Sequence, residues 1–217
     1  MSSLSWACTN NNTDIAKFLL NFNADPNVWT TENQSPLMWA SRFGNSYLVK
    51  KLLQNKADIN FQHTDGATAL YRACEYNKDE IVDILIDANA NPDICTNVKN
   101  KSPLIKSSAK GNAKIVKKLL QNKPNINIKD FKGQSALFWA CKKNRKMIVE
   151  ILLNANANPN ICENKKNKSP LMIACQNGNV EIVQTFIHNE VDLNLKDIDG
   201  KTALEWAVEK GHDEIGR

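Results

Sequence analysis

Apolar residues recur along this chain in a helical pattern that repeats about every 33 residues. The segment beginning at Ser35 reads Ser-Pro-Leu-Met-Trp-Ala, and further copies begin at Thr68, Ser102, Ser135, Ser169 and Thr202, in steps of 33 or 34 residues. A degenerate copy begins at Leu4. A fixed period of this length is typical of stacked helical units, none of which can bury its apolar face alone. We therefore expect an array of repeats that acts by presenting a surface.

Each repeat has its own start and stop signals. Ser35 is a good helix N-cap, and Pro36 is the favoured first helical residue. The first helix is predicted to run to about Phe43 and to end at Gly44, which tolerates the left-handed backbone that a chain reversal needs. The equivalent positions are all Gly or Asn: Asn11, Asn77, Gly111, Asn144, Gly178 and Gly211. A second helix with aliphatic residues at helical spacing follows, and then a polar turn closes the repeat.

The boundaries of the repeats follow from this register. The approximate units are residues 1–27, 28–60, 61–93, 94–127, 128–160, 161–194 and 195–217, which form one array. The first and last units are incomplete, so we expect either a longer array or a neighbouring molecule that covers the end. A longer period is also present, because residues 88–95 return almost unchanged as residues 155–162. This period indicates that a block of two repeats was duplicated.

These motifs together resemble the ankyrin repeat. The resemblance rests on the recurring Ser/Thr-Pro/Ala-Leu phrase, the Gly-or-Asn turn, the Glu-Ile-Val start of helix two at Glu80 and Glu181, and the Asp-x-x-Gly turns at Asp130 and Asp197. It covers almost the whole chain. It implies an all-α ankyrin-repeat solenoid of helix-turn-helix units joined by β-hairpin-like loops. It further implies a concave face for protein–protein recognition, built from the inner helices and loop tips.

The chain departs from the family pattern at two positions. The usual His of the phrase is absent, and its place is held by Ser5, Met38, Tyr71, Ile105, Phe138, Met172 and Glu205. The usual Gly after helix two is replaced by Asn23, Lys56, Asn89, Lys123, Asn156 and Glu190. Lys and Glu are strained in a left-handed backbone, so we expect moderate stability.

Composition excludes several classes of protein. No apolar run approaches the length of a membrane span, and the amino end lacks the features of a signal peptide. The six cysteines sit at equivalent repeat positions without a C-x-x-C spacing, which favours buried thiols in a reducing compartment over disulfides or zinc. We therefore expect a cytoplasmic protein without a cofactor, with association to the cytoskeleton as an open alternative.

Basic residues are concentrated in the middle of the chain. The net charge is +5, yet residues 98–168 hold 17 Lys or Arg against three acids, while residues 1–97 hold seven basic and eleven acidic residues. The lysines expected on the loop tips and inner helices are Lys99, Lys101, Lys106, Lys110, Lys132, Lys142, Lys143, Lys165, Lys166 and Lys168. They form either the solvated surface of a lysine-rich composition or a surface that captures an acidic protein. Lys outnumbers Arg 24 to 4, which disfavours sequence-specific binding of nucleic acid.

Aromatic residues mark a second candidate surface near the amino end. The residues predicted to bind a partner there are Trp29, Arg42, Phe43, Glu75 and Tyr76. Aromatic and Arg side chains at the variable end of an inner helix are typical binding hot spots, although packing against the neighbouring loop is the alternative. By contrast, Trp6, Trp39, Trp139 and Trp206 share one repeat position and are expected to stack as core.

No constellation of residues indicates catalysis. A Gly-rich phosphate loop, a nucleophile elbow and paired His at metal spacing are all missing from the sequence. The sequence therefore predicts a non-enzymatic adaptor that binds an acidic protein surface. An architectural subunit of a larger assembly, such as the cytoskeleton, is the alternative, and non-specific binding of polyanions is a minor one.

Overall fold

The computed structural model describes residues 2–30, 33–162, 165–189 and 191–216. Within these ranges the secondary structure is thirteen short α-helices and one 3₁₀ turn, with no β-strand. The helices are α1 (Ser3–Thr9), α2 (Thr13–Asn21), α3 (Pro36–Phe43), α4 (Ser46–Gln54), α5 (Ala69–Glu75), α6 (Asp79–Asp87), α7 (Pro103–Lys110), α8 (Ala113–Gln121), α9 (Ala136–Lys142), α10 (Lys146–Asn154), α11 (Pro170–Gln176), α12 (Val180–Ile187) and α13 (Ala203–Glu209). The predicted all-α class is confirmed.

The chain divides into two compact halves. The amino-terminal half is Met1–Pro103 and the carboxy-terminal half is Leu104–Arg217. Within each half, the first helix of a repeat packs against its own second helix and against the first helix of the neighbouring repeat, as α3 does with α4 and α5. The core of each half therefore lies between successive repeats, as expected for a repeat array.

Polar side chains start the helices where the sequence predicts. The Ser35 hydroxyl accepts a hydrogen bond from the Met38 N–H at 3.3 Å, and the Ser169 hydroxyl accepts one from the Met172 N–H at 3.2 Å. Asn45 caps α4 in the same way, since its Oδ1 accepts the Leu48 N–H at 3.0 Å. Each cap satisfies a backbone donor that the helix itself leaves unpaired.

Left-handed residues reverse the chain between the paired helices. Every Gly or Asn predicted for this turn has a positive φ, from 50° at Asn11 to 93° at Gly111. The position after helix two is also left-handed in the described repeats, with φ of 65° at Lys56 and 47° at Lys123. The strain expected of these two lysines is therefore present in the backbone, whereas Glu190 lies outside the described residues.

Leu, Ile and Val residues from both helices of each repeat form the core. Leu37, Leu48, Leu70, Leu119 and Leu152 are at most 1 % exposed. The position of the missing family His is buried in six repeats, where it holds Ser5, Met38, Tyr71, Ile105, Phe138 and Met172, whereas Glu205 in the last repeat is exposed. Most of these residues act as core. Apolar packing therefore occupies the place where the family usually has a polar His.

Asparagine side chains link successive repeats through their loops. In the amino-terminal half, the Asn27 Oδ1 accepts the Asp58 N–H at 2.7 Å, and the Asn60 Oδ1 accepts the Asn91 N–H at 2.9 Å. Asn127 accepts the Asn158 N–H at 2.9 Å in the carboxy-terminal half. We call these bonds the asparagine ladder. Each of them satisfies a backbone donor with an acceptor from the preceding repeat.

Candidate protein-binding surfaces

A tip loop precedes the first helix of each repeat after the first, and before α3, α5, α7, α9 and α13 a backbone hydrogen bond closes this loop. The Asp130 N–H donates to the Gln134 carbonyl at 3.1 Å, and the Thr30 N–H donates to the Gln34 carbonyl at 3.0 Å. In the carboxy-terminal half an Asp orders the loop further. The Asp130 Oδ1 accepts the backbone N–H groups of Lys132 and Gln134, and its Oδ2 accepts the Trp139 indole N–H at 3.0 Å.

The same arrangement recurs at the last tip loop. The Asp197 Oδ1 accepts two backbone N–H groups, and its Oδ2 accepts the Trp206 indole N–H at 2.8 Å. Burial alone would raise the pKa of Asp197, but these hydrogen bonds, with the nearby Lys168 charge, hold that pKa below its usual value. Each Asp therefore fixes a loop to the helix that follows it.

Five of the predicted lysines line one groove in the carboxy-terminal half. Its volume is about 470 Å³, and Phe138 and Ile173 contribute apolar surface to it. We call it the lysine groove, and its lysines are Lys132, Lys142, Lys165, Lys166 and Lys168. They come from two neighbouring tip loops and from the end of α9, so the fold gathers charges that are spread over the sequence.

Lys168 differs from the other lysines of the groove. The sequence predicts it on a loop tip, where side chains are usually exposed, but it is only 6 % exposed. Its Nζ donates to the Gln176 Oε1 at 2.8 Å and lies 3.2 Å from the centre of the Trp206 ring. Burial, reinforced by the neighbouring Lys166 charge, holds the pKa of Lys168 below its usual value. Lys168 is thus packed into the wall of the groove.

The remaining predicted lysines are placed elsewhere. Lys143 follows α9 and is exposed, but it does not line the groove. Lys106 is half-buried on α7, and Lys110 is exposed at the end of that helix. Lys99 and Lys101 belong to the last tip loop of the amino-terminal half, which the Thr96 N–H closes by donating to the Lys101 carbonyl at 3.1 Å.

The predicted aromatic surface of the amino-terminal half forms two clusters. Trp29 is 54 % exposed and stacks on Phe61, with ring centres 5.3 Å apart. Separately, Phe43 stacks on Trp39 at 5.7 Å, and the Arg42 guanidinium lies over the rings of both Trp39 and Tyr76. Trp29 and Phe43 therefore pack against a neighbouring ring and still expose part of their own ring surface to solvent.

Glu75, also predicted as a partner contact, is engaged within the chain. Its Oε2 accepts a charged hydrogen bond from Arg72 at 2.9 Å, and Arg72 also contacts Asp65 at 2.8 Å. Although burial opposes its charged form, these carboxylates raise the pKa of Arg72. Glu75 therefore orders the end of α5.

The expectation that the four equivalent tryptophans form core is wrong for three of them. Trp6 is 46 % exposed, Trp39 and Trp139 are half-buried, and Trp206 is buried. At Trp139 and Trp206 the indole N–H reaches the Asp of the preceding tip loop. The partners that hold Trp139 and Trp206 were missed from the sequence, although each Asp stands nine residues before its Trp.

The described residues contain no group of three or more His, Cys, Asp and Glu side chains that could hold a metal ion. All six cysteines are free, and burial raises the pKa of Cys8 and Cys175 to about 12, so these thiols are unreactive near neutral pH. In the described part of the chain, none of the helices has both the length and the apolar character to cross a bilayer.

Comparison with known proteins gives a consistent result for the family and a mixed one for the biological role. The chain is 33 % identical over 113 residues to the ankyrin repeat and KH domain-containing protein mask-1 of Caenorhabditis elegans. It is 38 % identical over 126 residues to the human SMC5-SMC6 complex localization factor protein 1, and 32 % over 130 residues to the potassium channel AKT2/3 of Arabidopsis thaliana. These matches cover 49 %, 55 % and 59 % of the chain, but only 4 %, 11 % and 16 % of the relatives.

A solved structure, the human ASB11 ankyrin repeat domain, is similar with a TM-score of 0.81 and 26 % identity, covering 95 % of this chain and 92 % of that one. The family model for ankyrin repeats (3 copies) matches residues 4–95, 41–130, 70–161 and 137–217. These matches take in nearly the whole sequence. The chain therefore belongs to the ankyrin-repeat family, whose repeats are in general non-enzymatic modules for protein–protein interaction.

Proposed function

We propose that the chain is an adaptor that captures an acidic segment of a partner protein in the lysine groove. The observation that carries this proposal is the presence of five lysines around one groove of about 470 Å³. The described carboxylates beside the groove, Asp130 and Asp197, are committed to their own loops. The groove thus presents a positive field that steers and holds negative charge.

The lysine groove suits a flexible acidic segment better than a planar ligand. Lys is a point charge on a long, mobile stem, and it adapts to carboxylates at varied positions. Phe138 and Ile173 add apolar surface against which aliphatic stems of the segment can pack. The free cysteines fit a reducing compartment, and we accordingly propose that the capture takes place in the cytoplasm.

A fluorescein-labelled decaglutamate peptide tests the proposal by fluorescence anisotropy. The groove variant is Lys132→Glu, Lys142→Glu and Lys165→Glu together, and it leaves the buried Lys168 in place. The matched control is Lys114→Glu, Lys117→Glu and Lys123→Glu, three exposed lysines in or directly after α8. Both variants change the net charge equally, so they separate the groove from the overall charge.

We expect the groove variant to weaken binding at least about tenfold, because three attractive contacts of roughly 0.5–1 kcal/mol each become repulsive. The control should stay within about threefold of the parent, and higher salt should weaken binding of the parent steeply. Equal losses in the two variants would show that net charge alone attracts the peptide, as in non-specific polyanion binding, and would refute the proposal.

A second candidate function is that of an architectural subunit, and an apolar groove favours it. This groove has a volume of about 360 Å³ and is lined by residues that include Leu171, Val183, Ile187 and Leu204. Apolar surface of this kind can bury against a neighbouring protein in an assembly. Co-sedimentation of the chain with purified actin filaments or microtubules, lost on Ile187→Asp, would support this alternative over a soluble adaptor.

A further inference from the structure

Arg42 is held in place by aromatic rings. Its Cζ lies 5.2 Å from the centre of the Trp39 ring and 4.9 Å from the centre of the Tyr76 ring. Trp39 in turn stacks on Phe43 with the ring planes 21° apart. The rings restrict the rotamers of a side chain that would otherwise be mobile, which lowers the entropic cost of binding through it. We call Trp39, Arg42, Phe43 and Tyr76 the Arg42 shelf.

The guanidinium of Arg42 has no carboxylate partner among the described residues. Arg72, which lies on the next inner helix, gives the contrast, because it contacts both Asp65 and Glu75 within 3.0 Å. The described contacts of Arg42 are to the faces of aromatic rings, which leave the N–H edge of the guanidinium unused. A planar edge with several parallel donors is the natural match of a carboxylate.

Exposed apolar surface adjoins the charge of Arg42. Phe43 is 39 % exposed and Tyr76 is 40 % exposed, so both offer ring surface to a partner. Clusters of Trp, Tyr and Arg carry most of the energy at known protein interfaces. The chemistry of the shelf is therefore mixed, with one oriented cation beside two open aromatic faces.

We propose that the Arg42 shelf is a second binding site, which takes a peptide segment with one carboxylate next to an apolar side chain. The carboxylate pairs with the edge of the Arg42 guanidinium, and the apolar side chain packs on Phe43 and Tyr76. A single negative charge fits better than a doubly charged phosphoryl group, because residues 1–97 carry eleven acidic and only seven basic residues. The site lies in the other half of the chain from the lysine groove and selects by shape as well as charge.

Selection from a phage library of random dodecapeptides tests this site. The bait is the chain that carries Lys132→Glu, Lys142→Glu and Lys165→Glu, so that peptides attracted by the lysine groove are not enriched. We expect the enriched peptides to share one Asp or Glu beside an aromatic or aliphatic residue. Synthetic copies of them are then titrated against single variants by fluorescence anisotropy.

Arg42→Gln should weaken the binding of these peptides by about tenfold or more, equivalent to roughly 1.4 kcal/mol. Arg42→Lys should weaken them as well, because the charge stays while the planar edge is lost. Phe43→Ala should weaken them without a change of charge. Lys50→Gln, an exposed lysine on α4 of the same half, is the matched control and should have no effect.

The proposal is overturned if no enriched peptide depends on Arg42, or if replacing its carboxylate by an amide leaves binding unchanged. Full retention of binding in Arg42→Lys would also overturn it, since the cation would then act only by its charge. None of these results bears on the lysine groove, which the decaglutamate titration tests separately. The two surfaces can therefore fail independently of each other.

Discussion

An aspartate introduced at position 30 should stabilise the protein, because one indole N–H lacks an acceptor. Trp139 and Trp206 donate to the Asp that stands nine residues earlier. At the equivalent position before Trp39 stands Thr30, and the buried Trp39 Nε1 has no hydrogen-bond partner among the described residues. Thr30 and Asp130 make the same closing bond, since the backbone N–H of each donates to the carbonyl of the residue four positions later. Thr30→Asp therefore offers the Trp39 indole an acceptor at the position from which Asp130 serves Trp139.

The magnitude follows from the groups involved. Leaving a buried donor unpaired costs roughly 1–3 kcal/mol, and a hydrogen bond to a charged acceptor contributes about 1.5–3 kcal/mol. Thr30 already accepts the Gln34 N–H through its hydroxyl at 3.3 Å, and an Asp carboxylate can keep that bond. Because Trp39 is half-buried and the amino-terminal half is acidic, we expect a net gain of about 1 kcal/mol. For a chain of this length this gain corresponds to roughly 2–4 °C in Tm.

Urea unfolding followed by far-UV circular dichroism measures the change in the free energy of unfolding. The reciprocal variant Asp130→Thr should lose about 1–2 kcal/mol, because Trp139 then lacks its acceptor. In a Trp39→Phe background, Thr30→Asp should bring no gain, since the donor is gone. A gain that persists in this background, or no gain in the parent chain, would refute the reasoning.

Two further predictions concern the left-handed backbone at Lys56 and the buried carboxylate of Asp197. Lys56→Gly should raise the free energy of unfolding by about 0.5–1 kcal/mol in the same urea assay, because Gly relieves the left-handed strain at a φ of 65°. A lower free energy of unfolding would show that the Lys side chain stabilises the fold by more than the strain costs. The pKa of Asp197 is lower in the folded chain than in the unfolded one, where it is about 3.9. The ionised Asp197 therefore stabilises the fold fully above the unfolded pKa, and this stabilisation is lost as the pH falls through the folded pKa. Asp197→Asn should therefore lower stability at pH 7 and flatten the loss of stability as the pH falls below about pH 4, and an unchanged acid slope would contradict this assignment.

Local features of the fold could be predicted from the sequence because single residues decide them. Gly44 and Asn77 mark left-handed turns, since few other residues tolerate that backbone, and Ser35 marks a helix start. The apolar spacing in α4 and α10 identifies the buried faces without knowledge of their partners. These predictions need only the backbone preferences of a residue and its neighbours.

The candidate surfaces could be predicted only in part, because they depend on contacts between repeats. The sequence predicts Lys168 on a loop tip, but its burial requires Trp206 from the following repeat and Gln176 from the end of α11, the helix that follows it. The four equivalent tryptophans are predicted to form core because they share one repeat position, but a shared position does not fix how deeply each indole is buried. The acceptor of the indole comes from the preceding tip loop, as Asp130 does for Trp139, whereas the described residues offer none to Trp39.

The asparagine ladder has a consequence for how the chain can change in length. Asn27, Asn60 and Asn127 each reach a backbone N–H that lies 31 positions later, whichever repeat they belong to. Asn160 reaches Asp192 across 32 positions, so an added residue in the intervening segment is tolerated. Unequal recombination that inserts or removes whole repeats therefore recreates the same bonds at the new junction. Such a chain can gain or lose binding surface in whole steps without having to evolve a new interface between its repeats.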